Sequence, residues 1–287
     1  MQIGAVADIH GNFDALTQAM ERHPEVRLWI CVGDLASRTG AYPEPPTPLY
    51  WIKGNNEDFD RIAAWQAGEP APRHLHYLAN GTATRVGPLT VAGLGGTFAP
   101  TWYDTPAAAL PPGRRKVGPY QADLKVRLYV RNGGQRKADG RGRLHVGPGG
   151  APAADDPESV RRGGPSGPPT DAIRPPADDK RRHFVREEAE ACAALRGVDI
   201  LMTHEAARPF VIVDEATPGA VPRRRDAGKP AINAVLAAMQ PRLHLCGHHH
   251  RFLETVREGV PSVCIDRINR SYLLIDAETL AWQKIDQ

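Results

Sequence analysis

Sulfur ligands are scarce in this chain. Its four cysteines, Cys31, Cys192, Cys246 and Cys264, are spread over 287 residues and never fall into a C-x-x-C spacing. That arrangement excludes a disulfide framework and a thiolate zinc site. Three of the four lie inside apolar runs, where a small buried hydrophobe is expected. No apolar run approaches the ~20 residues of a membrane span. The N-terminus lacks a basic region and reads at once as a strand, so the cytoplasm is the expected location. No internal repeat is visible. Charge of one sign is also missing: 36 Lys and Arg stand against 33 Asp and Glu, a net +3. Even this excess is local. Residues 111–180 carry 14 basic and 8 acidic side chains, which leaves the rest of the chain net negative. A folded body built to wrap nucleic acid is therefore disfavoured.

Glycine and proline, by contrast, are plentiful and unevenly placed. The same 70-residue window holds 12 of the 28 glycines and 11 of the 27 prolines. Residues from about 113 to 178 are expected as a disordered insert, since they lack the large apolar residues that offset chain entropy. A basic lid over an anionic substrate is the functional alternative. The length allows one or two domains. The reading adopted is one domain over residues 1–287, interrupted by that insert.

Outside the insert, short apolar runs alternate with polar loops and helical patterns. Residues 3–7, 26–32 and 49–53 read as strands, with a helix from 13 to about 22 capped by Asn12. Residues 83–86 and 89–92 read as a hairpin turning at Gly87-Pro88. A helix from about 183 to 195 leads to a buried strand at 198–202, and a further helix spans 229–239. Strands follow at 243–246, 263–266, 271–275 and 280–285. This order implies a parallel α/β core with its site at the carboxyl ends of the strands.

The chemistry-bearing residues fall at those ends. They are Asp8 and His10, Asp34 after Gly33, Asn55 after Gly54, His204, and His248 and His250 after Gly247. A lone histidine or a lone D-x-H at a strand end is usually structural or solvated. Seven oxygen and nitrogen donors without a thiolate match a binuclear site for hard-to-borderline cations. Alternation along an extended segment would turn His248 and His250 to one side and His249 to the other. His244 is expected to pack within its strand. His74, His76, His145 and His183 have no motif context.

The order D-x-H, G-D, G-N-N-E, H-E, G-H-x-H resembles that of the calcineurin-like metallophosphoesterases, over residues 1 to about 110 and 183 to about 275. The resemblance implies an α/β fold of two mixed sheets packed as a sandwich with flanking helices. It further implies that Asp8, His10 and His250 hold one metal, that Asn55, His204 and His248 hold a second, and that Asp34 bridges both. Two divalent cations ~3.5–4 Å apart need such a shared anionic oxygen, and together they generate a hydroxide nucleophile near neutral pH. A ligand set without sulfur admits Mn, Fe or Zn. Asp34, Asn55 and His249 are the residues expected to serve catalysis. For His249 this means a contact to substrate or to a ligand, with a solvated side chain as the other reading. Glu57 either orients a ligand histidine or is a plain helix N-terminal acid favoured by the dipole, and Glu205 after His204 is read in the same two ways.

One departure from the family pattern bears on substrate. Many members have His after the metal-binding Asn, where it helps protonate the leaving group; this chain has Asn56. An amide cannot deliver a proton, so a general-acid contribution of about 10²–10⁴-fold is missing at that position. A phosphodiester, or a leaving group of low pKa, suffers least. The stretches 94–97, 183–187 and 198–204 are similar to RNA lariat-debranching enzymes, which also cleave a phosphodiester. The expected activity is thus metal-dependent hydrolysis of phosphate esters, by preference diesters, with a nucleotide or nucleic acid among the candidate substrates and no membrane partner. A phosphomonoesterase or nucleotide pyrophosphatase is the nearest rival, and a catalytically weak metal-loaded binding protein is the rival of another class. The basic run 223–225 reads either as a phosphate contact or as a solvated loop.

Overall fold

The computed structural model describes residues 1–113, 179–213 and 224–287. The expected insert, with its lid reading, lies outside the described residues apart from Gly113, as do His145 and Arg223. Apolar residues on both faces of the N-terminal strand already dictate a layered structure. Ile3, Ala5 and Ala7 enter one buried cluster and Val6 enters another, so this strand must be covered on both sides.

Strands β1 (Gln2–Val6), β2 (Trp29–Cys31), β3 (Leu49–Trp51) and β4 (Leu75–Tyr77) are separated in part by helices α1 (Phe13–Arg22) and α2 (Phe59–Gln66). A hairpin of β5 (Thr82–Val86) and β6 (Leu89–Leu94) leads to β7 (Thr97–Phe98) and the short α3 (Pro100–Tyr103). Next come β8 (His183–Phe184), α4 (Arg186–Ala194), β9 (Ile200–Thr203), β10 (Val211–Val213) and β11 (Arg224–Asp226). Helix α5 (Pro230–Met239) and β12 (Leu243–Cys246) follow. Strands β13 (Leu253–Arg257), β14 (Val260–Cys264), β15 (Ser271–Asp276) and β16 (Trp282–Asp286) end the chain.

Two six-stranded mixed sheets result, in the orders β16-β15-β1-β2-β3-β4 and β13-β14-β12-β9-β6-β5. Within the first, β1 to β4 run parallel; within the second, β6, β9, β12 and β14 do. Their facing surfaces share one core, with Ile30, Val32 and Ile52 from one sheet and Val91, Met202 and Leu245 from the other. Helices α1 and α2 cover the outer face of the first sheet through Leu16 and Ile62 against Trp29 and Trp51. Helices α4 and α5 cover the second through Cys192, Ile232 and Leu236 against Leu201. The sandwich expected from the resemblance is therefore the observed fold. Among the described residues no helix is long and apolar enough to cross a membrane.

Several boundaries differ from those expected. Strands β2 and β3 are three residues each, because pairing stops where the chain turns to present Asp34 and Asn55. The helix expected from 183 begins only at Arg186. Its first two residues pair instead with Thr97 and Phe98 as β8 against β7. Helix α2, β4 and β13 were not expected at all. Asn12 caps α1 as read, its side chain accepting from the Ala15 amide at 3.4 Å.

Candidate metal centre

Five loops at the carboxyl ends of β1, β2, β3, β9 and β12 build the site. Those after β1 and β2 are laced together: Asp8 N–H donates to the Gly33 carbonyl (3.1 Å) and His10 N–H to that of Asp34 (2.8 Å). Gly247 N–H donates to the His204 carbonyl (3.2 Å), tying the β12 loop to the β9 loop. Asp8, His10, Asp34, His248 and His250 all have positive φ, between 49° and 68°. Non-glycine residues seldom adopt this left-handed region, although Asp and His tolerate it better than most. The expectation of an extended histidine triplet is thereby corrected. Both outer histidines are left-handed, and they serve opposite halves of the site.

Two groups of side chains converge. Asp8, His10 and His250 form one, and Asp34, His204 and His248 the other, each with ligand atoms within 4.8 Å of one another. His250 Nε2 lies 3.4 Å and His10 Nε2 3.8 Å from Asp8 Oδ1. Asp34 Oδ2 stands between the groups, 3.6 Å from His10 Nε2 and 3.5 Å from His204 Nε2. Asn55 Oδ1 completes the second group at 3.1 Å from His204 Nε2. All seven sequence-predicted ligand residues are thus gathered. Asp8, Asp34 and His204 are buried at the floor, while His10, His248 and His250 are half-buried and leave the site open on one side.

Whether cations suit this arrangement can be read from the groups themselves. Asp8 Oδ1 is buried without a hydrogen-bond partner, while its Oδ2 accepts from the His248 amide (2.8 Å). A buried carboxylate oxygen left so is costly unless a cation faces it. The imidazole nitrogens of His10 and His250 point at each other across 3.2 Å, in the direction of that same oxygen. His204 Nδ1 donates to the Val32 carbonyl (2.9 Å), which leaves the Nε2 lone pair facing Asp34 and Asn55. The donor set fits two divalent cations sharing Asp34.

The electrostatics agree. Burial works to raise the Asp34 pKa, but His204, His10 and the Asn56 amide reverse this and hold it well below the usual carboxylate range. Burial likewise opposes charge on His204, yet Asp34 beside it carries its pKa upward. A pocket that stabilises a proton between these two groups also stabilises a metal cation. Burial is the main cause that lowers His10 and drives His248 to about 3, keeping their lone pairs free.

The backbone tolerates no bulk here. Gly33 has φ +102°, and a Cβ on it would stand 2.6 Å from His204 Nδ1. A Cβ on Gly54 would overlap the Asp34 carboxylate. Glu57 meets neither reading given to it. It touches no ligand histidine, and it precedes the Asp58 cap of α2. Its fully buried carboxylate accepts from the amides of Leu35 (3.0 Å), Ala36 (3.2 Å) and Gly54 (3.1 Å), joining the loops that carry Asp34 and Asn55.

Asn56 has a positive role that its sequence context hid. Its amide nitrogen donates to Asp34 Oδ1 (2.8 Å) and its side-chain Nδ2 to Oδ2 (2.7 Å), so one residue grips both oxygens. His249 lies beside the two groups without joining them. It stacks on Phe210 with centroids 4.3 Å apart, and its Nε2 is buried without a partner. His244 is packed within β12, as expected, between Thr203 Oγ1 (2.8 Å) and Ser262 Oγ (3.1 Å). Glu205 is buried beside His248, and only its position after His204 hinted at that.

No curated protein sequence matches the chain. The family model described as calcineurin-like phosphoesterase matches residues 1–252. Among solved structures, TT1561 of Thermus thermophilus aligns over 99% of this chain and 98% of its own at 12% identity, with a TM-score of 0.51. A structure described as a novel archaeal phosphodiesterase covers 100% of both chains at 9% identity, with a TM-score of 0.43. At 12% identity the likeness to the Thermus thermophilus structure is one of fold.

Proposed function

Because the chain belongs to the calcineurin-like phosphoesterase family, and so hydrolyses phosphate esters with metal, we propose that it is a phosphodiesterase. Its centre in this reading is held by Asp8, His10 and His250 on one side, by Asn55, His204 and His248 on the other, and by Asp34 in common. The observation that carries the reading is Asp34 Oδ2, within 3.6 Å of one histidine from each group. Bound there, two divalent cations supply Lewis acidity and activate water near neutral pH. The chain's own residues supply orientation. Val32 fixes the His204 ring, Glu57 fixes the two loops, and Asn56 fixes the bridging carboxylate.

Preference for diesters follows from Asn56. Its backbone N–H and its side-chain Nδ2 are both directed at Asp34, and because an amide carries no transferable proton near neutral pH it cannot protonate a departing oxygen. Alkoxides of high pKa then leave slowly, whereas aryl or nucleotide leaving groups do not need the help. The same amide favours a second reading, a nucleotide pyrophosphatase, whose leaving group is also of low pKa. Four free, buried thiols suit a reducing compartment, which supports a cytoplasmic location. The reading as one domain with an insert is supported at the insert's flanks, where Lys180 N–H donates to the Pro111 carbonyl at 2.9 Å.

The test is turnover of bis(p-nitrophenyl) phosphate against phosphoserine after reconstitution with Mn²⁺, Fe²⁺ or Zn²⁺. Diester turnover should dominate, and Asn56→His should raise phosphoserine hydrolysis. Brisk phosphoserine hydrolysis by the unaltered protein would overturn the preference for diesters.

A further inference from the structure

We infer that Glu205 is a positioning residue for His248, turning that imidazole so that Nδ1 is the nitrogen offered to the second cation. The inference rests on the binuclear reading above. Glu205 is 3% exposed, and a carboxylate so buried must be satisfied on every side. Oε2 accepts from the Phe98 amide at 2.7 Å. Oε1 lies 3.4 Å from Lys229 Nζ and 3.8 Å from His248 Nε2. One carboxylate oxygen therefore faces an ammonium and an imidazole nitrogen together.

The residue is held at both ends. Its carbonyl accepts from Thr203 Oγ1 (2.5 Å), which is itself hydrogen-bonded to His244 Nε2 (2.8 Å) across to β12. Lys229, on the other side, is the residue that caps α5. Thr203 thus holds the Glu205 backbone, while the Phe98 amide and Lys229 hold its carboxylate. His204 has its far nitrogen anchored by the Val32 carbonyl. Glu205 is the group placed to do the same for His248 from the opposite ring edge. With Nε2 turned to the carboxylate, Nδ1 remains for the cation. An outer carboxylate on a metal-binding histidine fixes its tautomer and raises its basicity, and losing it typically costs about 10–100-fold in metal affinity or activity.

The experiment is calorimetric titration of the metal-stripped full chain with Mn²⁺. Two sites are expected in the unaltered protein. Glu205→Gln, which keeps the shape and an acceptor for Phe98, should leave one site unchanged and weaken the other about 10–100-fold. Equal affinities in variant and parent would overturn the inference. Fewer than two sites in the parent would instead refute the binuclear reading. Should the variant fail to fold, the parent loaded with ¹¹³Cd and ¹⁵N-labelled at histidine decides the matter: coupling at His248 Nδ1 supports the assignment, and coupling at Nε2 overturns it.

Discussion

Removing the Glu57 carboxylate is the sharpest probe of how the centre is supported. Two effects oppose each other there. Three backbone amides donate to the carboxylate, those of Leu35 and Gly54 to Oε1 and that of Ala36 to Oε2. Against this, burial and the nearby Asp34 raise its pKa from 4.5 to about 7. The folded state therefore binds the Glu57 proton more tightly than the unfolded state does. Stability from this residue is fully present below about pH 4.5 and is lost as pH rises toward 7, by about 3 kcal/mol at ~1.4 kcal/mol per pKa unit. Glu57→Gln does not titrate. Its oxygen can keep the Leu35 and Gly54 bonds, while its NH₂ meets the Ala36 amide and forfeits about 1–3 kcal/mol. The variant should thus be the less stable protein at pH 5 and draw level with, or pass, its parent by pH 8. Glu57→Ala orphans all three amides and should lie below the Gln variant at every pH, by an amount comparable with a large part of the ~5–15 kcal/mol typical of whole domains. Urea midpoints at pH 5, 6, 7 and 8, in chelator, measure this. Parallel pH curves for parent and Gln variant, or an Ala variant as stable as Gln, would refute the reasoning.

Asp34→Asn should reduce metal content below two ions per chain, read by elemental analysis, and bring diester turnover to background while the fold persists. Excision of residues 114–178 behind a short Gly-Ser linker should leave the melting temperature within a few degrees, since Pro111 and Lys180 already meet at 2.9 Å; failure to fold would contradict the one-domain reading. Burial holds the His244 pKa at about 3, so the unfolded chain takes up this proton first as pH falls. Acidification from pH 7 to 5 should then cost about 2 kcal/mol through this residue. His244→Phe should flatten that acid limb in the same urea assay.

Local signals explain what sequence reading could reach. Helix α1 carries its own cap in Asn12 and an apolar stripe, and its ends coincide with those expected. Strand β12 likewise ends at the Gly-His-His-His turn. The seven residues gathered at the candidate centre are legible because each follows an apolar run or its immediate loop. The misses needed partners distant in sequence. His183 and Phe184 leave the helical pattern only because Thr97 and Phe98 lie beside them. Glu57 and Asn56 take their roles from amides and a carboxylate on the loop about twenty residues earlier. Strand β13 is a partly exposed edge paired on one side with β14, so its residues show little apolar alternation. Helix α2 does carry a local signal, an aspartate at its N-cap: the Asp58 side chain accepts from the Arg61 amide (3.0 Å).

Five of the gathered side chains sit on left-handed backbone, and each such residue costs an L-amino acid about 1–2 kcal/mol. Glycine at any of these positions would relax the turn and delete a donor in the same stroke. The loops that carry these side chains, floor and rim alike, are therefore strained. In a metal-free sample these loops should exchange their amide protons faster than the strands beneath, and loading the ions should slow that exchange more in the loops than in the strands.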